Sequence, residues 1–168
     1  KADAPYVKVK VGDSFVILAK ALIENSLSGA AGHNGNAPES EFSIIEEFLG
    51  KELVGKKYLP PFDYFTNEIH KHKTHAWKIY AADFVTLEEG TGIVHVAPAF
   101  GADDLALSQK EKIPTIHHVT EEGKFITTVR DFAGFPVKPK GNPKETDEKI
   151  VEHLKQKGLL FSEEKIKH

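Results

Sequence analysis

The sequence predicts a mainly β fold, an antiparallel β-barrel with peripheral helices. Short segments rich in β-branched and aromatic residues recur along the 168 residues, as is typical of strands. Clusters of Gly, Pro and Asn separate these segments and indicate turns. Helix signals are few and lie between the strand candidates. Many short strands with a few helices favour a barrel or a curled antiparallel sheet.

The first element is a predicted β-hairpin. Residues Tyr6–Val11, "YVKVKV", alternate apolar and polar side chains with the period of a strand. Gly12 and Asp13 form the turn, and the apolar run Ser14–Ala19, "SFVILA", returns as the second strand. A short helix is predicted next, over Lys20–Leu27.

A long loop and an ambiguous segment follow the hairpin. Residues Ser28–Ser40 are rich in Gly, Asn and Ser, which predicts a loop. Residues Ser40–Gly50 begin with a capping Ser, carry acidic residues and end with Gly, so they predict a short amphipathic helix. A strand remains the alternative, because three of the apolar residues suit either structure: Ile44, Ile45 and Phe48.

The middle of the chain predicts further strands. Pro60 and Pro61 stop regular structure. Beyond them, residues His75–Leu87 and Gly92–Pro98 are rich in β-branched and aromatic side chains, and a Glu-Glu-Gly turn lies between the two segments. We predict one strand from each.

The last third alternates helices with short strands. A helix is predicted to begin at Asp103 or Asp104, with basic residues near its end. A second helix, Asn142–Gly158, has a capping Asn, a Pro in its first turn and a terminal Gly. Three strands are predicted around these helices: Thr115–Val119, Gly123–Thr127 and Leu159–Glu164.

The composition excludes several classes of site. The chain has no Cys, so it has no disulfide, no thiolate zinc site and no catalytic Cys. The formal net charge of −3 argues against a domain that holds long nucleic acid by its phosphates. We find no signal peptide and no membrane-spanning segment, and expect a cytoplasmic protein. Because Met is also absent, residue 1 is not a natural start, and we expect a fragment of a larger protein.

The stretch Glu88–Asp104, "EEGTGIVHVAPAFGADD", resembles the signature of the editing domain of isoleucyl-tRNA synthetases. The pattern of His, an apolar residue, Ala and Pro, followed by Gly and paired Asp, is that of the isoleucyl enzymes rather than of their valyl and leucyl relatives. The first hairpin and the segments "EEGKFITTVRDFAGFPV" and "LLFSEEKIKH" are also similar to this domain. Residues Ser26–Ala37 and Asn67–His75 resemble it least. The "DFAG" sequence points to a eukaryotic-type branch.

The resemblance implies a single editing domain, residues 1–168, of a class I aminoacyl-tRNA synthetase. Its reaction is hydrolysis of the ester in Val-tRNA(Ile). These enzymes are the standard example of a second, hydrolytic sieve. The implied partners are the valine-charged 3′ end of tRNA(Ile) and the rest of the parent synthetase, in a monomer without a cofactor. The resemblance further implies that a Thr-rich segment of the family's pocket precedes residue 1 in the parent protein.

The resemblance also assigns site residues. Asp104 matches the position that holds the α-ammonium group of the substrate, and Asp103 is left to cap the helix. His95 matches a residue that shapes the side-chain pocket, and general base is its alternative role. The flanking Val94 and Val96 are expected to face the core. The other expected substrate-binding residues are Gly90, Thr91, Gly92, Ile93, Val94, Ala97, Pro98 and Gly101.

The sequence also bears on metal binding, on serine hydrolase chemistry and on alternative functions. The segment His70–His75, "HKHKTH", resembles a metal site, but Lys71 and Lys73 would repel a cation, so we expect no metal. No G-x-S-x-G sequence indicates a serine hydrolase. The alternatives to editing of Val-tRNA(Ile) are a catalytically silent module that binds aminoacyl adenosine, an editing domain of a valyl or leucyl relative, and a generic β-rich domain.

Overall fold

The computed structural model describes residues 1–28, 42–71, 75–161 and 163. Most of the predicted loop Ser28–Ser40 lies outside these residues. The described residues form two compact units. The first contains the described parts of Lys1–Tyr58 and Lys78–Val96, together with Phe161 and Glu163, and the second contains the described parts of Leu59–Trp77 and Ala97–Leu160. The elements are β1 (Pro5–Val11), β2 (Ser14–Ala19), α1 (Ile23–Ser28), β3 (Phe42–Leu49), α2 (Thr66–Lys71), α3 (Ala102–Glu111) and α4 (Glu145–Gln156).

The first unit is built on a three-stranded antiparallel sheet of order β2-β1-β3. The predicted hairpin is confirmed, with Tyr6 opposite Ala19 and Val11 opposite Ser14. Gly12 has a φ of +58°, as a tight hairpin turn requires. The predicted helix over Lys20–Leu27 is also confirmed, as a 3-10 turn that continues into α1.

Strand β3 corrects the helix prediction for Ser40–Gly50. Residues Phe42–Leu49 pair with β1, and a β-bulge between Lys8 and Val9 breaks the register. Ile45 is the residue of β3 without a partner at the bulge, since Lys8 pairs with Glu46 and Val9 with Ile44. The strand alternative was correct, because pairing with β1 decides the structure of a segment whose local pattern suits both states.

Two apolar clusters hold the first unit together. One packs against Tyr6 and includes Ala4, Ala19, Leu22 and Leu53. The other joins the opposite face of the sheet to α1 and contains Val7, Val9, Leu18, Ile23 and Leu27. Both faces of β1 are therefore buried over part of its length, because Tyr6 adds an apolar side chain to the face that otherwise carries lysines.

The other predicted strands are wrong in the described residues. Segments His75–Leu87 and Gly92–Pro98 contribute one isolated bridge, between Lys78 and Lys57. Two further isolated bridges join Val119 to Phe125 and Lys124 to Pro136, and the described part of Leu159–Glu164 forms no strand. A β-branched composition favours extended backbone but supplies no partner strand. The described sheet is not closed, so the barrel remains a prediction.

The second unit is organised by helices α2 to α4 and by aromatic rings. Helix α2 was not predicted; at its start, the Thr66 hydroxyl donates to the Asp63 carbonyl oxygen, 2.8 Å away. Helix α4 confirms the predicted helix but is shorter at its start: the Asn142 side chain accepts the Lys144 amide ahead of the helix. The aromatic rings that contact one another, directly or through the imidazoles of His118 and His153, are Phe62, Tyr64, Phe65, Phe100, Phe125, Phe132 and Phe135.

No helix in the described part of the chain is long and apolar enough to cross a membrane.

Candidate functional site

The residues predicted to form the site belong to both compact units. Gly90, Thr91, Gly92, Ile93, Val94 and His95 lie in the first unit, and Ala97, Pro98, Gly101 and Asp104 lie in the second. The predicted site residues thus form two groups, one in each unit.

The Gly90–Gly92 segment is fixed by its backbone carbonyl groups. The Ser26 hydroxyl donates to the Gly90 carbonyl oxygen at 2.6 Å, and the Ala19 amide donates to that of Thr91 at 2.8 Å. The buried Tyr6 hydroxyl donates to the Gly92 carbonyl oxygen at 2.7 Å, and burial raises the pKa of Tyr6. Three consecutive carbonyl groups thus accept hydrogen bonds from the sheet and from α1. These bonds fix the backbone conformation of the segment.

Gly92 also makes the close packing of this segment possible. Its φ is +73°, and a Cβ atom at this position would lie 2.7 Å from the Cβ of Ala19 and 3.3 Å from the Tyr6 hydroxyl. Gly90 has a similar φ of +69° but no atom within 4 Å of such a Cβ. Both glycines therefore meet a backbone requirement, a positive φ, and Gly92 meets a packing requirement as well.

The residues that follow, Ile93 to Val96, differ from the prediction. They form no strand, and Val94 is 48% exposed rather than facing the core. His95 is exposed as well, and Val96 is half-buried. The Thr91 side chain and Ile93 exchange hydrogen bonds of 3.2 and 3.4 Å. The His95 imidazole is therefore accessible, and its role as pocket residue or base remains a prediction.

In the second unit, the structure brings Asp104 together with Ala97 and Gly101. The Oδ2 atom of Asp104 accepts a hydrogen bond from the Ala97 amide at 3.0 Å. The Gly101 backbone lies against the same carboxylate. Within the described residues, Oδ1 of Asp104 has no hydrogen-bond partner, and the side chain is half-buried. Asp104 is therefore held at one oxygen while the other remains available.

The start of helix α3 corrects the role assigned to Asp103. Gly101 is the N-cap residue and makes no side-chain capping bond, while Asp103 and Asp104 both lie in the first turn. Asp103 thus contributes negative charge near the helix N-terminus without capping it. The Ser108 hydroxyl donates to the Asp104 carbonyl oxygen at 2.7 Å and ties this turn to the next.

An exposed aromatic ring borders the Asp104 turn. Phe100 immediately precedes Gly101, is 56% exposed, and has its ring centre 4.9 Å from that of His118. Pro98 is half-buried in the same turn. The amides of Phe100 and Gly101 both donate to the Ala97 carbonyl oxygen.

Comparison with known proteins identifies the family. Protein-family models give no match to the chain. An isoleucine–tRNA ligase of Clostridium tetani is 39% identical over 97% of the chain. Those of Bdellovibrio bacteriovorus and Pyrococcus furiosus are 37% and 38% identical over 99% of it. The chain belongs to the isoleucine–tRNA ligase family. It spans 14% of the length of the Clostridium tetani relative and 15% of that of Pyrococcus furiosus, and these bacterial and archaeal matches leave the eukaryotic-type branch a prediction.

A second polar cluster of this ligase segment was missed by the sequence analysis. The Tyr64 hydroxyl donates to Oδ2 of Asp131 at 2.7 Å, and Nε2 of His153 lies 3.7 Å from the same oxygen. Burial and the bond to Asp131 raise the pKa of Tyr64. The Tyr64 bond, with the nearby charges of His153, Lys157 and Arg130, lowers the pKa of Asp131. The residues come from distant parts of the sequence, so no local motif marks the cluster.

Most side chains of the candidate metal-binding segment His70–His75 lie outside the described residues. No group of three His, Asp or Glu residues in the described part could hold a metal ion, but residues 72–74 of the His70–His75 segment are not among them. Nδ1 of His75 donates to the Glu111 carbonyl oxygen at 2.7 Å, since a carbonyl group can only accept. One imidazole of this segment is therefore engaged by backbone.

Proposed function

We propose that the chain is an editing domain that hydrolyses the aminoacyl ester of mischarged Val-tRNA(Ile). Membership of the isoleucine–tRNA ligase family supports the substrate class. The observation that carries the proposal is the carboxylate of Asp104, which is anchored to the Ala97 amide and offers its second oxygen. In this proposal the protein binds the 3′-terminal adenosine with its attached amino acid, and the rest of a parent synthetase holds the tRNA.

Asp104 suits an α-ammonium group for electrostatic reasons. A half-buried carboxylate attracts a cation more strongly than one fully in water, because the local dielectric constant is lower. Anchoring one oxygen in advance reduces the ordering cost when the second oxygen accepts an N⁺–H group. A charge-assisted hydrogen bond of this kind contributes about 1.5–3 kcal/mol.

The remaining roles complete the proposal. His95 shapes the side-chain pocket and excludes isoleucine, and its exposure is compatible with contact to a ligand. The backbone-fixed Gly90–Gly92 segment supports the residues that precede His95. Because the chain has neither Cys nor a G-x-S-x-G sequence, hydrolysis proceeds by a positioned water. The predicted barrel of the editing-domain type and the single-domain organisation belong to the same proposal.

The test is deacylation of Val-tRNA(Ile) and Ile-tRNA(Ile) by the purified chain and by Asp104→Asn. Asn keeps an oxygen that accepts the Ala97 amide but lacks the charge, so the variant isolates the electrostatic contribution. We expect hydrolysis of Val-tRNA(Ile) only, and a fall of roughly 10- to 100-fold in kcat/KM for the variant, as follows from a lost charge-assisted hydrogen bond.

Three results would contradict the proposal. Binding of a valyl adenosine analogue without any deacylation would identify a catalytically silent module. Preferential deacylation of Thr-tRNA(Val) would identify an editing domain of the valyl type. An Asp104→Asn variant as active as the unaltered chain would remove Asp104 from the site.

A further inference from the structure

We infer that Gly101 is a positioning residue, whose missing side chain gives the Asp104 carboxylate the room to adopt its observed orientation. The resemblance assigned Gly101 to direct contact with the substrate. Its closest contacts in the structure are instead with Asp104. The inference deepens the proposed function and rests on it for the identity of the ligand, but the orientation of the carboxylate can be tested without any ligand.

The geometry excludes a backbone reason for glycine at this position. The φ of Gly101 is −124° and its ψ is 136°, which any residue adopts in extended backbone. A Cβ atom built on Gly101 would lie 2.6 Å from Oδ2 and 3.0 Å from Cγ of Asp104. The atoms that oppose a side chain at this position therefore belong to the carboxyl group of Asp104.

The surrounding backbone cannot relieve such a contact. The amides of Phe100 and Gly101 donate to the Ala97 carbonyl oxygen at 2.9 and 3.2 Å, and the Leu105 amide donates to that of Gly101 at 2.9 Å. These bonds fix the turn on both sides of Gly101. An added methyl group would therefore displace the side chain of Asp104, which can adopt another rotamer, rather than the backbone.

Displacing the carboxylate would break its bond to Ala97. Oδ2 is both the atom that accepts the Ala97 amide at 3.0 Å and the atom closest to the added Cβ. A Gly101→Ala variant thus separates two properties: the charge of Asp104 remains, but its fixed orientation is lost. Asp104→Asn does the reverse, because it keeps an acceptor for the amide and removes the charge.

The experiment combines two NMR titrations on the purified chain. In the first, the Ala97 amide signal is followed from acid to neutral pH; the unaltered chain should show a large shift because Oδ2 of Asp104 accepts a hydrogen bond from that amide, and Gly101→Ala should lose it. In the second, non-hydrolysable valyl-amino adenosine is added to both proteins at neutral pH. We expect Gly101→Ala to bind roughly 10- to 100-fold more weakly, as for loss of one charge-assisted hydrogen bond.

The two titrations distinguish failure of the inference from failure of the proposed function. If Gly101→Ala keeps the pH-dependent shift of the Ala97 amide, the inference is wrong. If the shift is lost but the unaltered chain does not bind the analogue, Gly101 does position Asp104 and the proposed function is wrong. If Gly101→Ala loses the shift and the unaltered chain binds the analogue, but the variant binds it equally well, the orientation of the carboxylate does not serve the ligand and the inference is overturned.

A double variant covers failure to fold. Asp104→Ala removes the carboxyl group that an added methyl group would meet. If Gly101→Ala unfolds the chain, the double variant Gly101→Ala/Asp104→Ala should fold as well as Asp104→Ala alone. A double variant that is also unfolded would show that Gly101 is required for a reason other than Asp104, and would overturn the inference.

Discussion

Gly92 and Gly101 are both glycines of the family-like motif, but the structure requires them for different reasons. Gly92 has a left-handed φ of +73° and packs against Ala19 and Tyr6 of the sheet. Gly101 has an ordinary extended φ of −124° and faces the movable carboxylate of Asp104. The first glycine therefore serves the fold, whereas the second serves the orientation of one functional side chain. A motif written as letters does not distinguish these two roles.

The largest expected effect is that of Gly92→Ala on stability. The left-handed backbone costs about 1–2 kcal/mol for a residue with a Cβ, and the 2.7 Å contact with Ala19 adds an overpacking cost of about 1–3 kcal/mol. We expect a loss of ~3 kcal/mol in the free energy of unfolding, measured by urea denaturation. Gly90→Ala is the matched control, because it has the same backbone requirement without the contact. Equal losses in the two variants would disprove the packing role.

The second effect concerns the hydroxyl that holds Gly92. Tyr6→Phe removes the donor to the Gly92 carbonyl oxygen and leaves that buried acceptor without its bond. The expected loss is ~2 kcal/mol in the free energy of unfolding. Tyr58→Phe serves as control, since its side chain is exposed. A loss confined to Tyr6→Phe supports a sheet-bound motif, and equal small losses would show that this bond contributes little.

The third effect is the stability of Gly101→Ala, which sharpens the comparison directly. The added methyl group meets the end of a side chain rather than a buried core, so we expect a loss below ~1 kcal/mol. Thermal unfolding of Gly92→Ala and Gly101→Ala side by side measures the difference. A larger loss for Gly101→Ala than for Gly92→Ala would reverse the roles assigned to the two glycines.

The smallest effect concerns Asp131, whose carboxylate is held by a side chain, whereas that of Asp104 is held by a backbone amide. Its pKa lies below the ordinary value of 3.8, first because it accepts the Tyr64 hydroxyl. A depressed pKa stabilises the folded state above pH 3.8, and this contribution is lost as the pH falls through the lower, folded-state pKa. Stability of the unaltered chain should therefore fall more steeply below pH 3.8 than that of Asp131→Asn. Parallel curves in acid denaturation would show that the Tyr64 bond does not stabilise the ionised form.

The fold was predictable where one strand signals its neighbour. The hairpin of β1 and β2 followed from the alternation of Tyr6–Val11 and the short turn at Gly12 and Asp13, because such a turn sets both partners and their register. The partner of β3 is distant in sequence, so the local pattern of Phe42–Leu49 could not exclude a helix. The same limit explains the wrong strands at His75–Leu87 and Gly92–Pro98: their composition was favourable, but the described residues offer no continuous pairing.

The candidate site was predictable in its residue types but not in its contacts. Asp104 was assigned from a motif, and the structure adds its bond to Ala97, a neighbour that had been assigned to the substrate. Tyr64, Asp131 and His153 could not be found, because their contacts join positions 67 and 22 residues apart only after folding. Asp103 kept a capping role once Asp104 had been assigned to the substrate, but the helix begins at Ala102, so Asp103 lies within its first turn.

The edge of the sheet at β3 affects how the chain behaves at high concentration. Phe42, Ile44 and Ile45 expose apolar surface on this strand, which favours pairing between copies of a protein. Two features oppose such pairing. The bulge opposite Lys8 and Val9 disrupts a flat edge, and Glu46 and the Lys20–Glu47 ion pair place charged groups along the strand. The edge strand thus carries its own protection against aggregation, and the electrostatic part of this protection is weakened by high salt.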